Sequence, residues 1–103
     1  MEIVNNTFEQ LNNRLGITKY DYSKEWLKKS KGYLAHLQSS KSSASLDALV
    51  ALYGTAIQQR RMWEQSGANR SGSEKALYNE HTDYFRNIEN AAHNEIKQQA
   101  LTM

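Results

Sequence analysis

The sequence predicts an all-α fold, and two observations carry the prediction. The 103 residues include no proline, so nothing breaks a helix from within. Apolar residues recur three and four apart, the period of one helix face, and strand-like alternation of β-branched residues is missing. Hydrophobic residues make up 39% and charged residues 23%, a balance that suits a folded domain rather than a disordered chain. The mean hydropathy of −0.80 implies a small core. A domain of this size buries only just enough apolar surface, and oligomerisation is a common remedy.

About five helices are expected. In "VNNTFEQLNNRLG", Val4, Phe8, Leu11 and Leu15 are spaced four, three and four, which gives a helix over about residues 3–15. Gly16 follows and suits a left-handed stop. "TKYDYSKEWLKK" offers Thr18 or Asp21 as the N-cap of a short second helix, with Trp26 and Leu27 as its apolar residues. Ser30 is placed to cap a third helix whose inward face is Tyr33, Leu34 and Leu37. "SSKSSA" is a polar link. Ser45 then caps a longer helix with Leu46, Leu49, Val50, Tyr53, Ala56 and Ile57 at helical period, running to about residue 65. "SGANRSGS" holds two glycines and three serines in eight residues and breaks it. Ser73 caps the last helix from Glu74, with Leu77, His81, Tyr84, Phe85, Ile88, Ala91, Ala92 and Ile96 on one face. The expected organisation is a segment 1–65, a linker 66–73 and a C-terminal helical segment 74–103.

Several classes of function find no support. Without cysteine there is no disulfide, no thiolate metal site and no thiol nucleophile. No pair among His36, His81 and His93 has the four-residue spacing of a helical zinc site, and Glu89 with His93 is a common surface pairing. A glycine-rich phosphate loop and a nucleophile motif are missing too. No enzyme, metal or cofactor is expected. The opening "MEIVNNTFEQ" has an early acid and no apolar run, which is unlike a signal peptide. No apolar run approaches the roughly 20 residues that span a bilayer, so a cytoplasmic protein without membrane contact is expected.

Charge is more informative. The net charge is +2. Residues 1–61 hold nine Lys and Arg against five acids, and residues 62–103 hold four against six, giving +4 and −2. A basic front and an acidic back point to a polyanion as partner of the front. Two short helices joined by a tight turn, the second basic at its start, form a helix-turn-helix pattern.

From Ser30 onward, "SKGYLAHLQSSKSSASLDALVALYGTA" resembles the λ-repressor-like, or Xre-type, DNA-binding domains of bacteria and phages. The likeness covers about residues 3–57 and is best over 30–56, where Ser45, Leu46, Asp47, Ala48 and Leu49 match the opening of the helix after the polar loop. The family's small residue in the middle of the second helix falls on Lys24, or on Ser23 if the register slips by one. The glycine of its turn falls on Lys28, and Ala44 stands where the family often has proline.

The resemblance implies that Ser30, Lys31, Gly32, Tyr33 and His36 begin a helix that enters the major groove of double-stranded DNA. Lys31, Gly32, Tyr33, His36 and Gln38 are then the base-reading residues, with Lys31 suited to guanine O6 and N7. Lys24, Lys28, Lys29, Ser30 and Lys41 are the phosphate contacts. Proteins of this kind bind as dimers on two half-sites, and the stripe Leu77, Tyr84, Phe85, Ile88, Ala92 and Ile96 is the expected dimer interface. The implied role is a repressor or autoregulator of a phage, plasmid or bacterial operon. The alternative is a small interaction or inhibitor protein, such as a phage anti-defence factor, that uses the helix-turn-helix as a docking surface for a protein partner.

Overall fold

The computed structural model describes residues 2–102; Met1 and Met103, the outermost residues of the two expected segments, lie outside the described residues. Five helices and no strand are found among them. No described helix is long and apolar enough to cross a membrane.

Helix α1 spans Glu2–Leu15. Val4, Phe8 and Leu11 are buried as their spacing requires, whereas Leu15, expected on the same face, is 48% exposed at the helix end. Gly16 stops the helix at φ +69°, its N–H donating to the Asn12 carbonyl at 2.9 Å. A residue with a Cβ is strained in that conformation.

Helix α2 begins at Lys19–Asp21, where the Thr18 hydroxyl accepts the Asp21 N–H at 3.2 Å. Over Tyr22–Trp26 it widens into a π-helical segment. There the Leu27 N–H reaches back five residues to the Tyr22 carbonyl, at 3.1 Å. The wide turn lets Tyr22, Ser23, Trp26 and Leu27 all face inward. The Tyr22 hydroxyl donates to the Val4 carbonyl at 2.8 Å and ties α2 to α1. Burial pushes that hydroxyl's pKa up.

Helix α3 is Tyr33–Ser40, with Leu34 and Leu37 inward. It begins later than expected. Ser30 gives no side-chain cap; only its carbonyl accepts, from the Tyr33 N–H at 3.1 Å. Lys31 and Gly32 therefore lie in the turn before the helix. Lys41 closes α3 in the left-handed conformation, φ 54°.

Helix α4 is Leu46–Gly67, and the Ser45 hydroxyl caps it by accepting the Ala48 N–H at 3.4 Å. Its buried stripe is Ala48, Leu49, Leu52, Thr55 and Ala56. Val50, expected in the core, is 50% exposed, because the stripe passes through Leu52 instead. After a short turn α5, Gly72–Thr102, runs back along α4. Thirty-one residues make a rod of about 46 Å, which accounts for the molecule's 47 Å long axis. Gly67 sits where a Cβ would come within 2.9 Å of the Tyr78 Cβ, so a glycine lets the two helices meet.

Half of the C-terminal stripe, Phe85, Ile88 and Ala92, is buried within the chain. Phe85 is 1% exposed and stacks on Trp26 with ring centroids 6.0 Å apart. Ile88 and Ala92 are buried in the same cluster as Val4, Leu34 and Leu49, with Tyr84 and Ile96 packed against it. Leu77 is 53% exposed. One core thus runs across the break at 66–73, which is the turn of a helical hairpin. The expected interface residues Phe85, Ile88 and Ala92 are covered within the chain itself.

Candidate nucleic-acid interface

Three side chains fix how α3 stands against its neighbours. The Ser23 hydroxyl, fully buried under α3, accepts the Leu34 N–H at 3.0 Å and satisfies a donor that the helix start leaves open. Ser23 thus packs on the start of α3, while Lys24, the next residue of the π-helical segment, is exposed. Lys28 adopts φ 55° at the turn, the conformation that a glycine adopts without strain. The Tyr33 hydroxyl accepts the Ser45 N–H at 3.0 Å and lies 3.3 Å from the Ser45 hydroxyl, bridging the starts of α3 and α4.

Several of the expected contact residues also have partners within the chain. Tyr33 is spent on Ser45 and is half-buried. Lys29 pairs with Asp47 across to α4, with its ammonium 5.7 Å from the Tyr33 ring centre. The hydrogen bond to Lys29 holds the Asp47 carboxyl down to about pKa 2 and raises Lys29. The Gln38 amide donates to Asn5 Oδ1 at 3.0 Å and links α3 to α1. Tyr33, Lys29 and Gln38 therefore hold the unit together, since each meets a partner in the chain.

What remains outward is a polar, basic surface. Lys24, Lys28, Ser30, Lys31, Gly32, His36 and Lys41 are exposed. The Ser39 and Ser40 hydroxyls donate to the His36 carbonyl at 3.1 and 2.7 Å. Lys19, in the first turn of α2, adds an exposed cation that the motif did not single out; its position early on the helix was the available signal. Lys19, Lys24, Lys28, Lys31 and Lys41 have no ion-pair partner among the described residues. Four of the five arginines contrast with them, the exception being Arg61, which is exposed on α4 without an ion pair among the described residues. Arg14 pairs with Glu80, Arg60 with Glu64 and Glu89, Arg70 with Glu74, and Arg86 with Glu64 and Asp83. The excess positive charge is thus concentrated on the surface of α2, α3 and their turns.

Two histidines lie elsewhere: His81 stacks on Trp63 at 4.2 Å and His93 on Tyr53 at 5.6 Å. Among the described residues no group of three or more His, Asp or Glu is arranged to hold a metal ion.

The sequence pattern of one protein family, described as a family of unknown function (DUF6626), matches residues 4–103. No curated protein and no solved structure matches the chain.

Proposed function

The chain belongs to DUF6626, a family of unknown function, and we propose that it binds double-stranded DNA through α2, α3 and the turns beside them, as a repressor or autoregulator. The observation that carries this reading is the segregation of charge: five exposed lysines without acid partners surround α3, while four arginines are neutralised by carboxylates elsewhere. A duplex is a dense line of phosphates, and lysines that displace its counterions supply most of the affinity. The buried Ser23, the left-handed Lys28 and the exposed His36 support a helix-turn-helix geometry.

In this reading Lys31 and His36 read base edges, and Lys24, Lys28 and Lys41 hold phosphates, joined by Lys19. Lys29, Tyr33 and Gln38 position α3 from behind. Two half-sites imply a second copy of the chain. The buried Phe85, Ile88 and Ala92 cannot supply that contact without opening the core.

Fluorescence anisotropy with a duplex selected from a random pool tests this. Lys31→Ala and His36→Ala should each cost about 1–3 kcal/mol on the selected site. Lys28→Ala and Lys41→Ala should weaken all duplexes alike. Lys97→Ala, an exposed cation near the far end of α5, should change nothing. Equal losses at Lys97 and at the α3 lysines would remove the basis for this interface.

A further inference from the structure

We propose that the groove between α1 and α5 is a docking site for an extended polypeptide segment of a partner protein, held by its main chain. This does not rest on the DNA reading and concerns a different surface. The groove has a volume of about 720 Å³. Asn6 and Gln10 line it from α1, and Asn87, Asn94 and Gln98 from α5. None of these five carboxamides makes a side-chain hydrogen bond among the described residues. Other amides on α1 are used differently: Asn5 accepts from Gln38, and Asn12 donates to the Ile17 carbonyl. Thr7, 5% exposed, also lines the groove, and its hydroxyl has no partner among the described residues.

A carboxamide carries the same donor and acceptor as a peptide unit, so a row of them matches a polypeptide backbone. The spacing fits an extended chain. Asn6 and Gln10 are four residues apart, a step of about 6 Å. In an extended chain, groups on one side recur roughly every 6.6 Å. Asn87 to Gln98 covers about 16 Å of helix, the length of about five extended residues. Ile3, Ile88 and Ala91 give the groove apolar lining for alternate side chains.

Charge selects the segment further. Glu95 is the one charged residue lining the groove, and it has no ion-pair partner among the described residues. It repels an acidic ligand and suits a Lys, an Arg or a free amino end. The groove has no aromatic lining residue, so flat rings such as nucleobases gain no stacking surface there. A second hollow shares Gln10 and is lined further by Asn13, Arg14 and Tyr84, so the amide row along α1 continues past the first groove towards an aromatic ring.

A synthetic array of pentapeptides, varied at every position, tests the proposal with the full-length protein. Peptides with Lys or Arg at one end should bind. Joint replacement Asn94→Ala and Gln98→Ala should lower the affinity of the best peptide at least tenfold, with circular dichroism and melting unchanged because both residues are exposed. Glu95→Gln should remove the preference for the basic end. N-methylation of that peptide's backbone should abolish binding while its side chains stay the same. The proposal is overturned if no pentapeptide prefers the wild type over the double variant, or if the N-methylated peptide binds equally well. Duplex DNA titrated in parallel keeps the two surfaces separate, since loss of DNA binding with peptide binding intact counts only against the α3 reading.

Discussion

Lys28 shows how one residue can serve the fold poorly and the proposed function well. It holds φ 55° at the turn after α2, where a side chain costs about 1–2 kcal/mol relative to glycine. Lys28→Gly should therefore raise stability, by roughly 0.5–1 kcal/mol after the greater flexibility of unfolded glycine is counted. The same change should lower DNA affinity, because it deletes an unpaired cation. Chemical denaturation and anisotropy on one sample check the pair of effects, and a destabilised variant would show that the turn does not carry this strain. The sequence made Lys28 visible as an odd residue at a turn that favours glycine. It did not reveal that Lys29, its neighbour, is neutralised by Asp47, since the two are 18 positions apart in the chain. The partners of Tyr33 and Gln38 were hidden for the same reason: Ser45 and Asn5 become their neighbours only in the folded molecule.

At the scale of elements, the parts governed by local chemistry were legible. Gly16 stops α1, Thr18 and Ser45 cap α2 and α4, and the glycine- and serine-rich break falls between α4 and α5. The π-helical segment was not legible, because no side chain favours it; it forms where Tyr22, Ser23, Trp26 and Leu27 must all be buried together. The start of α3 was missed because the chain first passes the left-handed Lys28 and the turn at Lys31 and Gly32. Lys29 with Asp47 ties the turn before α3 to α4, and Tyr33 with Ser45 ties the starts of the two helices together. The Asp47 carboxyl sits at about 2, below an ordinary carboxylate. Its contribution to stability is therefore complete above the unfolded value near 4 and is lost as pH falls towards 2. Asp47→Asn should melt below the wild type at neutral pH, and the gap should close between about pH 4 and pH 2. A gap that stays constant over that range would mean that the ion pair does not stabilise the fold.

For the whole molecule, the decisive feature is that Phe85 lies on Trp26. The period of the α5 stripe was plain in the sequence, but a stripe looks the same whether its cover comes from the same chain or from a second one. The structure covers Phe85, Ile88 and Ala92 from within. Phe85→Ala should cost about 3–5 kcal/mol, and fluorescence of Trp26 and Trp63 should lose structure in the same transition as the backbone. Two separate transitions would restore a division of the chain at the 66–73 turn. The same single body carries five unpaired lysines around α3 and four paired arginines elsewhere, and that asymmetry is the basis of the DNA reading. A titration of a random-sequence duplex across a series of salt concentrations measures it most directly. If Lys19, Lys24, Lys28 and Lys41 each meet one phosphate, log affinity should fall linearly with log salt, with a slope of roughly −3 to −4 per chain. No binding at low salt, or binding indifferent to salt, would contradict a phosphate-bearing partner for this surface.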